Sequence, residues 1–234
     1  MTSRPADTAV ASAAALSSTV ENYLKHLYAE QHNAGDGLLP MGRLAQALGV
    51  TPGTATTMVK ALADSGLVKY EPRDGVRLTA AGERHALSVI RRHRLVELFL
   101  VRVLGLDWSE VHEEAEELEH AVSDKVLDKI DELLGHPQFD PHGDPIPGAK
   151  GQLTATTLKD LVECELHAPV RIARVIGQDT AFLQTLDRLG LTPGTQVVVE
   201  ARDKLADSVT IRPKGRPVTT LGTTAASKIL VEGG

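Results

Sequence analysis

The chain has 234 residues, 42% of them hydrophobic, and a formal net charge of −6. That is enough for one large domain or two to three small ones around real cores. No stretch approaches the roughly 20 apolar residues of a membrane span, so a soluble, cytoplasmic protein is expected. The single cysteine, Cys164, excludes an intramolecular disulfide and a Cys-x-x-Cys zinc ribbon. Charge is unevenly spread: residues 1–78 carry seven basic and seven acidic side chains, residues 79–135 seven basic and thirteen acidic. A nucleic-acid binder with that balance is repelled by phosphate until cations arrive, and bound divalent metals would supply them.

Residues 1–16, rich in Ala, Ser and Thr, have no sustained apolar run and read as a disordered tail, not a secretory signal. From Ser17, the residues Val20, Leu24, Leu27 and Tyr28 recur at helical spacing, with Ser17 or Ser18 as N-cap, to a stop near Gly35. A short helix over 41–48 closes at Gly49, and Thr51-Pro52 restarts the chain as N-cap and first-turn proline of a third helix ending at Gly66. Residues 67–70 and 76–79 flank Pro72-Arg73-Asp74-Gly75, a hairpin signal. Three helices and a two-stranded wing spell a winged helix-turn-helix over 17–79. Thr51, Gly53, Thr54, Thr56, Thr57 and Lys60 lie on or near the face that would enter a major groove, offering methyl contacts to thymine and hydroxyl bonds to base edges or phosphate. Arg43, Lys69, Arg73 and Arg77 are candidate phosphate anchors. The competing reading is a surface helix and wing that dock protein.

Thr79 caps a long helix running to Gly105, and Ser109 opens another reaching about Leu134, before Gly135-His136-Pro137 stops it. Together with the proline- and glycine-rich loop 140–148 they make a helical domain over 80–150. A tether over 151–165 leads to β-rich runs at 170–175, 196–200 and 209–211, separated by a helix over 180–189 and the turn Thr192-Pro193-Gly194; a small, partly open β-barrel over 166–234 accounts for them. The whole is mostly α.

The chemistry concentrates on the two long helices. His93 and Glu97 form one i, i+4 pair. On a continuous helix Glu116, Glu119 and His120 lie at about 40°, −20° and 80° from His112. Mixed imidazole and carboxylate donors suit divalent metals, and both groups border apolar stripes, which argues against a merely solvated acidic face. His112-Glu113-x-x-Glu116 lacks the second histidine of a zincin, and Glu117-x-x-His120 is one di-iron motif where two are required. A two-metal hydrolase that retains a helix-turn-helix stays open, but no nucleophile or general base is evident beyond the ligands, so an enzyme is not expected.

Arg91-Arg92-His93-Arg94-Leu95 with Glu97, Val111-His112-Glu113-Glu114-Ala115-Glu116 running on through Asp124, and Asp144-Pro145-Ile146-Pro147-Gly148 resemble the diphtheria-toxin-repressor family, over nearly the whole chain from about Ser18. The resemblance implies a metal-dependent DNA-binding repressor with a winged helix, a dimerisation domain and a C-terminal SH3-like domain. It implies an ancillary site of His93, Glu97 and His112, and a primary site of Glu116, Glu119, His120 and, from the first helix, Asn22. Iron-sensing members have Cys where Glu116 stands and Met where Asn22 stands; manganese-sensing members have Glu and usually Asp. Glu116 thus matches the manganese branch and Asn22 departs from it, with Glu21 as the second choice of ligand. Oxygen donors in place of thiolate and thioether favour Mn(II), up to two ions per protomer, with Fe(II), Co(II) or Zn(II) as competitors. The C-terminal domain of the family can lend a ligand, for which Asp179 is the candidate against a bland loop acid. His136 and His142 are read as structural or solvated. An ion held by both the DNA-reading and dimer domains would lock their angle, so that a homodimer reads a near-palindromic duplex. No membrane or small organic ligand is expected.

Overall fold

A computed structural model of the chain describes residues 16–34, 37–153 and 157–233. The expected disordered tail, Leu16 apart, lies outside them. Contacts divide the chain into two compact units, Met1–Ala86 and Leu87–Gly234.

The N-terminal unit is the expected winged helix-turn-helix: α1 (Ser18–Ala34), α2 (Met41–Ala47), α3 (Pro52–Asp64), β1 (Val68–Glu71) and β2 (Gly75–Leu78). Ser17 Oγ accepts from Val20 N at the start of α1, and Thr51 caps α3 through Thr54 N, each satisfying an amide the first helical turn leaves unbonded. Leu24 and Leu27 of α1, Leu44 of α2, Val59 of α3 and Val76 of β2 are buried together as its apolar interior. The wing strands pair antiparallel from Val68↔Leu78 to Glu71↔Gly75. At its tip Asp74 N donates to Glu71 O, closing a turn with Pro72 second and Arg73 third. Arg73 has φ 77°, the left-handed conformation that such a turn normally gives to glycine.

In α4 (Ala80–Arg102), Thr79 Oγ1 accepts from Gly82 N at the expected cap. The single helix expected over 109–134 is two: α5 (Val111–Leu118) and α6 (Asp124–Leu133). Ser123 starts α6 by accepting from Val126 N, and the chain turns over 119–123 with no glycine or proline to announce it. Nor is Ser109 a cap; its backbone N–H and hydroxyl both donate to Asp107 Oδ1, and Glu110 precedes α5 without a side-chain cap bond. Leu95 and Leu98 of α4 pack with Leu127 and Ile130 of α6 and with Ile146, while Val96 and Leu100 pack with Val111 and Ala115 of α5. Those two stripes hold the remaining face of α4, with His93 and Glu97, against α5 and the turn that follows it.

The C-terminal strands are β3 (Lys159–Asp160), β4 (Pro169–Val175), β5 (Gln196–Asp203), β6 (Ser208–Pro213), β7 (Thr219–Gly222) and β8 (Ile229–Glu232), with helices α7 (Thr180–Leu189) and α8 (Thr223–Ala226). They form one antiparallel sheet in the order β3-β8-β4-β5-β6-β7. The tether is shorter than expected: β3 is already in the sheet, and Leu161 and Cys164 are buried in its core. Strand β4 also closes on the loop 140–144. Val175 N donates to His142 O at 2.9 Å, Arg174 pairs with Asp144, and Gly143, at φ 85°, lies so close that a Cβ would overlap the Ala173 carbonyl and stand 2.8 Å from Arg174 Cα.

Candidate metal centre

Glu97 is the hub of the C-terminal unit's polar interior, fully buried on α4. Its Oε1 lies 2.9 Å from His93 Nε2 and 3.4 Å from His112 Nδ1. The other ring nitrogen of His93 is 2.6 Å from Glu119 Oε2. Glu116 Oε1 stands 3.8 Å from His93 Nδ1 and 3.6 Å from His112 Nε2, and His120 Nε2 is 3.4 Å from Glu119 Oε1. His93, His112 and Glu116 each offer a ligand atom within 4.8 Å of the others. Six of the seven residues that the resemblance assigned to two sites, all but Asn22, are thus brought into one continuous cluster, with Glu116 beside His93 and His112. Glu119 is still helical at the C-cap of α5, its N–H bonded to Ala115 O at 2.9 Å, so it keeps the face of His112, while His120 stands in the turn beyond it.

A second group was missed. Glu97, Asp140 and His142 also offer ligand atoms within 4.8 Å of one another, and all three residues are buried. Glu97 Oε2, Asp140 Oδ2 and His142 Nδ1 have no hydrogen-bond partner among the described residues, and Glu97 Oε2 is 3.7 Å from His142 Nδ1. Buried polar atoms are nearly always satisfied. The three residues stand close enough together to hold a divalent cation, and Arg94 Nε is also 3.7 Å from Asp140 Oδ2. The remaining atoms are tied down. His142 Nε2 lies 2.8 Å from Trp108 O and is the ring nitrogen that donates to that carbonyl, leaving Nδ1 to face the carboxylates. Asp140 Oδ1 accepts from the backbone amides of His142 and Asp144. His142 is buried and so not solvated, and it stands in a group that could hold a metal, whereas His136 is exposed beside Asp131. The available signal was Asp140-Pro141-His142-Gly143 itself, two donors two residues apart in a loop stiffened by proline.

The electrostatics agree. Burial by itself would raise the Glu97 pKa, but His112, His142 and His93 around it hold it well below the usual carboxylate range. Burial would lower His142, and the Glu97 and Asp140 carboxylates reverse that and raise it. Asp140, desolvated and facing Asp144 and Glu97, is pushed up to about 8. At pH 7 it keeps its proton, and an ion entering this group must displace it. Metal affinity of this group is therefore expected to rise with pH, by about tenfold per unit for each proton displaced up to pH 8. Mn(II) titrations at pH 6.5 and 7.5 check this, and Asp140→Asn should flatten the dependence.

Of the other expected ligands, Asp179 is exposed and spends Oδ1 on Phe182 N as the N-cap of α7; it belongs to neither group. Asn22 is half-buried on α1 in the N-terminal unit. On the DNA-reading face Thr51, Gly53, Thr54, Thr57 and Lys60 are exposed and Thr56 is partly buried. Arg43 pairs with Glu30 and Lys69 with Glu71, surface pairs of about 0–1 kcal/mol that phosphate can displace. Arg73 and Arg77 are exposed on the wing.

Three family models match: "Iron dependent repressor, N-terminal DNA binding domain" over residues 15–76, "Iron dependent repressor, metal binding and dimerisation domain" over 79–148, and "FeoA domain" over 159–233. The chain is 32% identical over 227 residues to the iron-dependent repressor IdeR of Mycobacterium leprae, covering 92% of this chain and 96% of that one. It belongs to the diphtheria-toxin-repressor family of metal-dependent regulators. Members of this family are DNA-binding repressors, not enzymes, which removes the two-metal hydrolase. Among solved structures the chain resembles a manganese-dependent transcriptional repressor in complex with manganese, at TM-score 0.82 and 39% identity over 91% of this chain and 98% of that one. It also resembles ScaR with bound Zn2+, at TM-score 0.75 and 32% identity over 91% and 98%. The match to a dimerisation domain indicates a homodimer. The FeoA match begins at Lys159, where β3 enters the sheet.

Proposed function

We propose that this repressor responds to Mn(II), taken up by His93, Glu97, His112, Glu116, Glu119, His120 and the Asp140–His142 pair, and then silences manganese-homeostasis genes in the cytoplasm through a near-palindromic operator. The observation that carries this is the donor set. Every candidate ligand atom in the two groups is a carboxylate oxygen or an imidazole nitrogen. The one cysteine is buried in the FeoA core against Arg202. Hard donors suit Mn(II), the weakest binder of the divalent series, better than thiolate-preferring ions. A bound ion also neutralises part of the acidic middle of the chain and eases approach to phosphate.

A twofold operator follows from a twofold protein. Val103, Leu104, Leu118, Val126, Leu133 and Phe139, six of the ten exposed large apolar side chains among the described residues, fall within the dimerisation match, as a second copy of the chain requires. Iron supply is the second reading, favoured by the name of the mycobacterial relative.

The experiment is retention of sheared genomic DNA by chelated protein given Mn(II) or Fe(II), followed by sequencing. Enrichment of one palindromic site at lower Mn(II) than Fe(II) supports the proposal; the reverse order makes it an iron sensor. His120→Ala is expected to abolish metal-stimulated retention while leaving the dimer intact by light scattering. Undiminished stimulation would remove His120 from the site.

A further inference from the structure

The segment matched by the FeoA model departs from the acidity of the chain. Residues 159–233 carry ten Lys and Arg against nine Asp and Glu, in a chain of net charge −6. Several of those cations share one face. Arg171 of β4 stands opposite Gln196 of β5, and Lys214, just past β6, donates its backbone N–H to Gln196 O. Pro169, Val198 and Arg212 make the adjacent row. Val170, Val197 and Pro213, which alternate with them along the strands, are buried, so both rows lie on the outward face of the sheet. The turn after β6 adds Arg216, whose N–H donates to Pro213 O at 3.2 Å with Gly215 in the third place at φ 73°. The Arg216 side chain lies across Gly190, the left-handed C-cap of α7, where a Cβ would stand 3.2 Å from its Cγ. Arg212, Lys214 and Arg216 line an open groove of about 430 Å³ with Pro169 and Val198. Two carboxylates reach these cations: Glu200 pairs with Arg212 at 2.6 Å, and Glu232 stands 3.8 Å from Arg171. Among the described residues Lys214 and Arg216 have no ion pair. No aromatic side chain lines the groove, so it offers no platform for stacking single-stranded bases.

We propose that this face is a second duplex-contacting surface, on which Arg171, Arg212, Lys214 and Arg216 take phosphates of the DNA that flanks the operator, with Val198 and Pro169 against deoxyribose. The proposal rests on the DNA-binding reading of this chain and extends it to the FeoA-matched domain. Duplex DNA is a dense polyanion, and this surface is its complement in an otherwise acidic protein. Exposed ion pairs such as Arg212–Glu200 are weakly held, so phosphate can replace the carboxylate. The turn and the Gly190 contact already order Arg216, so little freedom is lost when it meets a phosphate. Once the winged domains hold the duplex, the second contact is intramolecular and adds affinity even where it is weak alone. Phosphate contacts carry no base information, so this surface lengthens the footprint and steepens the salt dependence without altering the sequence selected.

The test uses the full chain loaded with Mn(II) and its selected operator in two lengths, one trimmed to the operator and one flanked on each side by two helical turns, about 20 base pairs. Lys214→Ala combined with Arg216→Ala is expected to bind the long duplex about tenfold more weakly than the parent at about 50 mM salt and nearly equally at about 200 mM, because two lost phosphate contacts lower the salt slope by about 1.8. On the trimmed duplex it binds as the parent does. Lys159→Ala combined with Lys204→Ala removes the same charge from exposed positions off this face and leaves both affinities unchanged. Light scattering and thermal melts show that dimer and fold are intact. A long-duplex affinity equal to the parent's at the lower salt, a loss of the same size on both lengths, or an equal loss in the Lys159 and Lys204 pair overturns the proposal. A change of assembly state in the Lys214 and Arg216 variant also overturns it, in favour of a protein partner. If the parent itself binds neither duplex, it is the DNA-binding reading that fails, and the trimmed duplex reports that failure separately.

Discussion

Glu97→Gln is expected to weaken Mn(II) binding by on the order of a hundredfold or more and to abolish metal-stimulated DNA binding, although Glu97 is one residue among eight candidate ligands. Losing even a group that only supports a ligand costs about 10–100-fold, and Glu97 serves both groups, with Oε1 toward His93 and His112 and Oε2 toward His142. The amide is close to isosteric, so packing is kept while the buried negative charge that three imidazoles face is removed. Calorimetric titration and a gel shift with the selected operator measure both effects. Asp140→Asn should instead lower the number of ions bound while sparing the cluster around His93. Full stimulation in Glu97→Gln would show that neither group drives activation through this carboxylate.

Gly143→Ala is expected to cost about 3 kcal/mol or more, by two additive causes. Alanine at φ 85° is strained wherever it stands, and here its Cβ would also enter the Ala173 carbonyl of β4. Neither neighbour is the flexible end of a side chain, so relief requires β4 to part from the loop. At roughly 2–4 °C per kcal/mol for a chain of this size, the melting transition of the C-terminal unit should fall by about 10 °C. Because His142 O accepts from Val175 N in that contact, the same variant should weaken the metal group at Asp140 and His142. Gly42→Ala, in α2 with nothing within 4 Å of the new Cβ, is the matched control and should be neutral or slightly stabilising. A melt unchanged in Gly143→Ala would mean that loop and strand do not hold one another.

The winged domain was legible because its signals are local: Ser17 and Thr51-Pro52 sit where caps need them, Pro72 stands second in the wing turn although Arg73, and not Asp74-Gly75, takes its third, positive-φ place, and the apolar repeat sets which helix faces go inward. The candidate metal ligands on α4 and α5, His93 with Glu97 and His112 with Glu116, stood out for the same reason, as pairs four residues apart. What escaped was set by tertiary structure. The break at 119–123 carries no glycine or proline, and Ser123 becomes a cap only because α6 must turn Leu127 and Ile130 onto α4. That break is invisible to a periodicity argument, whereas Glu119, still in helical register at the end of α5, lies on the face of His112 and reaches His93. Strands β3, β7 and β8 are two to four residues long, too short for alternation to register. Asp140 and His142 looked like loop residues because their burial comes from the packing of β4 and Trp108 around them, which lies outside their own segment.

The chain contains a single tryptophan, and its position gives the protein an intrinsic optical readout. The Trp108 ring centroid is 5.5 Å from that of His142, its carbonyl accepts the His142 Nε2 proton, and its own indole nitrogen is buried without a partner among the described residues. An excited indole transfers an electron readily to a protonated imidazole and is quenched by a nearby paramagnetic ion, so the emission of the unlabelled protein is set at this one spot. Zn(II), diamagnetic, and Mn(II), paramagnetic, should therefore change that emission in opposite directions as they load the Asp140–His142 group, and neither needs a fluorophore to be followed.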